Sequence, residues 1–485
     1  MSINEQQLSS IVDRVVDQLV SSAIPKEKSL PKAKPAEKLM GTTIPAFQEA
    51  SAIGSFTDIE AAILAAGKAF LEYQNISIEQ RDKIIAAIRE ICLENIEAIA
   101  RLAFEETGLG RYEDKLNKNR LAINKTPGIE DLEPIAFTGD NGLTLLERAP
   151  YGIIGSITPC TNPSETIISN SIAMLAGGNV VTFNPHPSAK KTSGFTIHLI
   201  NKAIISAGGP PNLITTVSKP TIESAQILMK HPKVGLLVVT GGPAVVATAM
   251  KSGKKVVAAG PGNPPVVVDE TADLDKAGRD IVMSASTDNN IICLIEKNII
   301  VTKAAAEGLK KALIKHGAVE INNHQAKRLE KIIVEDGYPS KKWVGKNIQL
   351  ILKQIGLNVD SSKRLAIAET NADHPFAKLE LLMPVLPFIR VNDVDEAIEV
   401  AYKLEDGCFH TAAMHSKNID NLHKMAVKMN TSIFVKNGPA LAGLGLGGEG
   451  PASFTIASPT GEGVTTARHF TRIRRCVVSG HFRIT

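Results

Sequence analysis

The sequence predicts an α/β protein with doubly wound, mostly parallel sheets. Three observations carry that expectation. Between residues 152 and 302, short apolar runs alternate with segments of helical periodicity. The runs are rich in Val and Ile and apolar throughout, as in strands covered on both faces. The chain has 485 residues, 44% hydrophobic and 21% charged, a globular composition with room for about two to four domains.

In chain order, Leu8, Ile11, Val12, Val15, Val16, Leu19 and Val20 follow helical spacing, so residues 1–20 read as a short amphipathic helix. Residues 24–38 are rich in Lys and Pro and place a flexible linker over 21–44. A tethered helix cannot bury its apolar face alone. It docks either on another protein or back on its own main body. Residues 57–109 read as helices, through Ile59, Ala62, Ile63, Ala66 and Phe70, then Ile84, Ile85, Ile88, Ile91 and Cys92. Around 138–151 a turn, TGDNG, precedes a strand, LTLLERAPYG, which suggests a β-arm. Strands are expected at 152–158, 179–184, 212–217, 234–240, 255–259, 265–269 and 297–302. Helices fit at 163–176, 188–207, 221–230, 243–252 and 273–286. A second α/β region runs through PVLPFIRV (384–391) and TSIFVKNG (431–438). Ligands of such sheets sit at the carboxyl ends of the strands.

Composition excludes several classes. Lys+Arg 54 against Asp+Glu 50 gives a net charge of +4, unlike a protein that coats nucleic acid. Cys92, Cys160, Cys293, Cys408 and Cys476 are too sparse for a disulfide scaffold and suggest a reducing compartment. Residues 1–20 carry Glu5, Asp13 and Asp17, unlike a secretory leader. The longest uncharged stretch, 166–189, is interrupted by Asn, Gly and Pro, unlike a membrane span. A cytoplasmic protein is expected, with no nucleic-acid or membrane partner.

Among the motifs, GLGGEG (445–450) matches GxGxxG, but PASF follows where a helix should start, so a packing loop is expected. The 11 histidines form no HExxH pair and no CxxC partners them, so no metal site is expected. Arg472, Arg474 and Arg475 read as a solvated face or a subunit contact. Three βα junctions carry more. In TPCTNPSE (158–165), Pro163 suits a first helical position and Glu165 the third. Asn162 is then either the helix N-cap or an amide that donates into the cleft, where it would steady an oxyanion without titrating. In VTGGPAV (239–245), the glycines let backbone approach a ligand and the helix N-terminus favours phosphate; a plain tight turn is the other reading. In TDNNIICLIE (287–296), Cys293 is either an inert buried thiol or a nucleophile.

Together these pieces resemble the aldehyde dehydrogenase superfamily, specifically its CoA-acylating branch of the bacterial microcompartment type. The likeness runs from about residue 45 to the end. It rests on TNPSET (161–166), NPHPSAK (184–190), TGGPAVV (240–246), AAGPGNPP (258–265), TDNNIIC (287–293), KWVGK (342–346), HPFAKLELLMPVLP (374–387), HTAAMHS (410–416) and PTGEGVTTARHF (459–470).

The resemblance implies a Rossmann-type NAD/CoA-binding domain (45–133 and 150–267), a catalytic domain (268–465) and an oligomerisation arm (134–149 and 466–485). It implies Cys293 as nucleophile and Asn162 as oxyanion donor. Thr240, Gly241 and Gly242 match the turn that carries NAD, Glu380 the carboxylate on the nicotinamide ribose, and Asn184, His186, Pro187 and Lys190 the adenosine side. The implied cofactor surface also takes in Thr158, Pro159 and Gly260. Hydrolytic members carry a glutamate where AAGPGNPP places Ala258. Water, with a pKa of about 15.7, needs a base far more than a thiol of about 8.5 does, so this change favours transfer to coenzyme A. The implied reaction is reversible oxidation of propanal or acetaldehyde with NAD+ and coenzyme A to acyl-CoA and NADH. The alternatives are a hydrolytic dehydrogenase that makes the free acid, and an inactive scaffold. The helix at 1–20 also resembles encapsulation peptides, which implies a microcompartment shell or core protein as partner. A homodimer or homotetramer is implied as well. His410 is a bare suggestion for the base that acts on coenzyme A, with a structural role the stronger reading.

Overall fold

Apolar residues spaced by three and four fold 57–109 into the helices Ile59–Tyr73, Ile78–Glu94 and Ile96–Thr107. The first two are capped by Asp58, which accepts from the Ala61 N–H, and Ser77, which accepts from the Gln80 N–H. They are seen in a computed structural model that describes residues 52–484. The expected helix at 1–20 and linker at 21–44 lie outside the described residues. A fourth helix, Tyr112–Lys125, was not expected. It is mostly polar, yet it buries Lys115, Lys118 and Asn119.

The expected βα alternation is present. Six parallel strands lie in the order Ser55–Phe56, Ile214–Val217, Val180–Pro185, Ile153–Thr158, Val234–Thr240, Val256–Ala259. The three central strands, Val180–Pro185, Ile153–Thr158 and Val234–Thr240, are buried along nearly their whole length. Each fully buried Val or Ile contributes about 1.5–3 kcal/mol relative to exposure. Two strands start later than the apolar runs suggest, because Gly152 (φ +100°) and Asn212 (φ +65°) are not extended. Asn179 also stays outside its strand. Its Oδ1 accepts from the backbone N–H groups of Tyr151 (2.7 Å) and Gly152 (3.3 Å).

A second sheet has seven parallel strands in the order Ala318–Ile321, Leu365–Thr370, Val385–Val391, Asn298–Thr302, Pro265–Val268, Thr411–His415, Ile433–Lys436. The expected domain boundary after residue 267 falls inside Pro265–Val268, which pairs only within this sheet. The β-arm is a three-stranded antiparallel sheet in which Gly142–Pro150 is flanked by Ile135–Gly139 and Thr471–Ser479. Ile135, Phe137, Ile473 and Val477 are exposed on it. No helix among the described residues is long and apolar enough to cross a membrane.

Candidate active site

Strand order places the first half of the site. From Ile153–Thr158 the chain winds outward to Val180–Pro185 and Ile214–Val217, then returns to the other side at Val234–Thr240. The winding reverses between Ile153–Thr158 and Val234–Thr240, and such a reversal opens a crevice at the carboxyl ends. Thr158 and Pro159 lie on one side of it, Thr240 and Gly241 on the other, with Gly260 just beyond the neighbouring strand. Asn184 ends the strand on the Thr158 side. It is buried and accepts from Ser224 Oγ at 2.5 Å. His186, Pro187 and Lys190 follow on the turn and first residue of the helix Lys190–Ser206; His186 and Pro187 are exposed.

The crevice fits a dinucleotide. Gly242 caps the helix Pro243–Met250 without a side-chain cap bond, and space above it is open. A side chain at Gly241 would meet Val245 Cγ1 at 2.7 Å, so backbone alone fits there. The Thr158 hydroxyl is buried with no protein partner. Free N–H groups at a helix start and an unsatisfied hydroxyl suit a polyanionic ligand.

Cys293 lies in the loop before the strand Asn298–Thr302, against Gly262. A Cβ on Gly262 would sit 2.8 Å from the Cys293 carbonyl oxygen and 3.0 Å from His410 Cγ. The residue as a whole is partly exposed. Burial nevertheless pushes its thiol up to about 12, and the Glu380 charge adds to this; Lys297, the residue's own N–H and Lys118 pull it down. Glu380 is itself pushed up to about 7 by burial, against Lys297 and the Gly262 N–H. Lys297 donates to Asn290 O (2.6 Å), Asn290 Oδ1 (2.7 Å) and Ile292 O (3.0 Å), so it clamps the loop that ends in Cys293. Burial brings it down to about 8. His410 is fully buried and brought down to about 4, chiefly by burial and then by Lys297. Its Nδ1 meets Thr411 Oγ1 at 2.8 Å while its Nε2 has no partner, and burial keeps it a neutral imidazole.

Asn162 precedes the helix Pro163–Ala176, but its side chain makes no cap bond. Asn162 thus holds the N-cap position through its backbone carbonyl, which accepts from the Thr166 N–H, while its side-chain amide is left for another role. Its Oδ1 accepts from Lys118 Nζ at 2.6 Å, and its Nδ2 keeps only a 3.3 Å contact to Thr161 Oγ1. Lys118 also pairs with Asp288 Oδ2 (2.5 Å) and Glu165 Oε1 (3.3 Å), and Lys115 with the same Asp288 oxygen (3.3 Å). All four charged side chains are buried. Glu165, read in sequence as a first-turn acid, thus serves a buried ion cluster. Lys118, Asp288 and Lys297 were not singled out beforehand. A cavity of about 380 Å³, lined in part by Lys118, Thr287, Met283 and Leu446, abuts this cluster.

The GxGxxG match is resolved by the structure. GLGGEG forms a loop whose Gly445 and Gly448 carbonyls accept from Lys125 Nζ, with no helix after it. Among the described residues no group of His, Cys, Asp and Glu could hold a metal ion.

Residues 25–330 match the model of the aldehyde dehydrogenase family. The chain belongs to that family. Its dinucleotide crevice and Cys293 loop occur in a chain that is 51% identical over 439 residues to the acetaldehyde dehydrogenase (acetylating) EutE of Salmonella typhimurium, covering 89% of this chain and 94% of that protein. The crystal structure of Rhodopseudomonas palustris propionaldehyde dehydrogenase, with bound CoA and an acylated cysteine, is similar at a TM-score of 0.87 and 49% identity, covering 90% of this chain and 99% of the other. A propionaldehyde dehydrogenase from the fucose utilisation bacterial microcompartment of Clostridium phytofermentans aligns at a TM-score of 0.88 and 47% identity, covering 89% of this aldehyde dehydrogenase and 100% of that chain.

Proposed function

We propose that this protein is a CoA-acylating aldehyde dehydrogenase that oxidises propanal or acetaldehyde with NAD+ and coenzyme A to the acyl-CoA and NADH, reversibly. The likeness to an acetylating relative over 89% of the chain carries the reading. The acylated cysteine and bound CoA of the Rhodopseudomonas palustris enzyme support the thioacyl route. The branch is supported by Ala258. Its methyl is buried in the strand Val256–Ala259, and its N–H donates to Thr460 Oγ1 at 3.0 Å. No carboxylate is available at that position to activate water.

Cys293 loses its S–H proton to solvent, and the thiolate attacks the aldehyde carbon, forming the C–S bond of a thiohemiacetal as the carbonyl π pair moves onto oxygen. Its oxygen accepts from Asn162 Nδ2 and the Cys293 N–H. Both donors stay neutral at any working pH, so they favour the charged oxygen without competing for its proton. Lys297 holds the loop, and Glu380 waits beside the thiol for the nicotinamide ribose. Bound NAD+ supplies the acceptor for the hydride that leaves the thiohemiacetal carbon, and coenzyme A supplies the thiol that carries off the acyl group. Thr158, Pro159, Asn184, His186, Pro187, Lys190, Thr240, Gly241, Gly242 and Gly260 line the nucleotide crevice.

Residues 1–20 are assigned to a shell or core protein of a microcompartment within the cytoplasm. The microcompartment origin of the Clostridium phytofermentans relative supports this. The exposed apolar residues of the β-arm support a homodimer or homotetramer. Mixing enzyme with propanal and NAD+ tests the reaction. One NADH per active site should form and then stop, with turnover resuming on addition of coenzyme A. Sustained NADH release without coenzyme A would establish the hydrolytic alternative. Deleting residues 1–20 should preserve activity and abolish co-sedimentation with shells.

A further inference from the structure

We propose that Lys118 is a positioning residue for Asn162, its ammonium dictating which end of the amide faces the cleft. The inference rests on Asn162 being the oxyanion donor. An ammonium group only donates, so the amide end nearest to it must be the oxygen. At 2.6 Å from Oδ1, Lys118 therefore turns the NH2 end away from itself, which leaves Nδ2 with a 3.3 Å contact to Thr161 Oγ1. A flipped amide would set N–H against N–H in a dry interior, where an unmade hydrogen bond is costly. The charge also draws electron density toward Oδ1, which makes the opposite N–H a better donor.

Lys118 can do this because it is held on every side. Asp288 Oδ2 lies at 2.5 Å, Glu165 Oε1 at 3.3 Å and the Thr161 carbonyl at 3.4 Å. With Lys115 beside Asp288, the cluster has two cations and two anions and no net charge. Three separate segments supply it: the helix Tyr112–Lys125, the start of the helix Pro163–Ala176 and the loop at Asp288. The mobile side of the site, the substrate, thus meets an amide whose polarity is fixed before it arrives.

The experiment compares Lys118→Met and Lys118→Gln, each with and without Asn162→Ala, in single-turnover hydride transfer with propanal. Iodoacetamide alkylation of Cys293 is measured in parallel without NAD+. Lys118→Met should slow hydride transfer about 10- to 100-fold, within the roughly 10²–10³-fold loss expected for Asn162→Ala, with KM for propanal little changed. Lys118→Gln, which keeps a donor, should recover most of that loss. In the Asn162→Ala background neither change should cost more than about twofold, since residues that act as a unit are not additive. If the losses multiply, or alkylation falls by the same factor as hydride transfer, Lys118 does not act through the amide and the inference fails. Should Lys118→Met not fold, the charge-balanced K118M/E165Q pair is read against E165Q alone with the same criteria. If Asn162→Ala itself costs nothing, the oxyanion assignment is what has failed, and this inference falls with it.

Discussion

Gly262 lies so close to Cys293 that a methyl group on it would stand 2.8 Å from the Cys293 carbonyl oxygen. That neighbour is backbone and cannot swing aside. Gly262→Ala should therefore displace the cysteine loop while leaving the fold intact. A misplacement near 1 Å costs about 10²-fold in rate, so kcat should fall by about that factor with an unchanged circular-dichroism spectrum. Unchanged turnover would mean that the loop yields freely.

The charge at Glu380 has two effects of opposite sign. It holds the unligated thiol protonated, and it is the proposed ribose ligand. Glu380→Gln should speed iodoacetamide alkylation of Cys293 and raise KM for NAD+. In the unsubstituted enzyme the thiol is pushed up to about 12, so alkylation should climb about tenfold per pH unit from 7 to 9. A plateau near pH 8 would contradict the burial seen at the sulfur.

Glu296 offers a pH test of stability away from the reacting atoms. It is fully buried, accepts from the Ala440 N–H at 2.8 Å, and is pushed up to about 7 by burial, against the Ser284 hydroxyl. The folded chain binds this proton more tightly than the unfolded chain does. The stability so gained is complete below the ordinary carboxylate range and is lost as pH rises through about 7. Glu296→Gln cannot ionise and keeps an acceptor for Ala440. Its unfolding midpoint should match the parent at pH 4 and exceed it at pH 8.

Asp288 has φ +48°, a conformation that Asn adopts readily. Asp288→Asn thus removes charge with little backbone penalty. It leaves Lys115 and Lys118 with Glu165 alone, and breaking a buried pair costs about 3–5 kcal/mol. The thermal midpoint should drop by several degrees. Loss of less than about 1 kcal/mol would show that water reaches the cluster.

Much of this was readable before any coordinates. The strands at 153–158, 180–185 and 234–240 are apolar because both faces are covered, so their sequence states their burial. Thr158, Thr240 and Cys293 follow or end such strands or sit in loops with unusual polar runs, which made them visible. Lys115 and Lys118 were not visible. Their helix, YEDKLNKNRLAINK, looks solvated, and periodicity cannot say that its lysines rather than its apolar residues face the site. A signal for Asp288 was present. Asp288, Asn289 and Asn290 all have positive φ, and three successive Asp/Asn residues are the non-glycine types most tolerant of it.

The neutral quartet of Lys115, Lys118, Glu165 and Asp288 limits how the enzyme can be re-engineered. A chimera that imports the cysteine loop from a distant homologue without the matching helices inherits an odd charge and no counterion. Grafts intended to change aldehyde preference should carry all three segments as one cassette, or leave all three untouched.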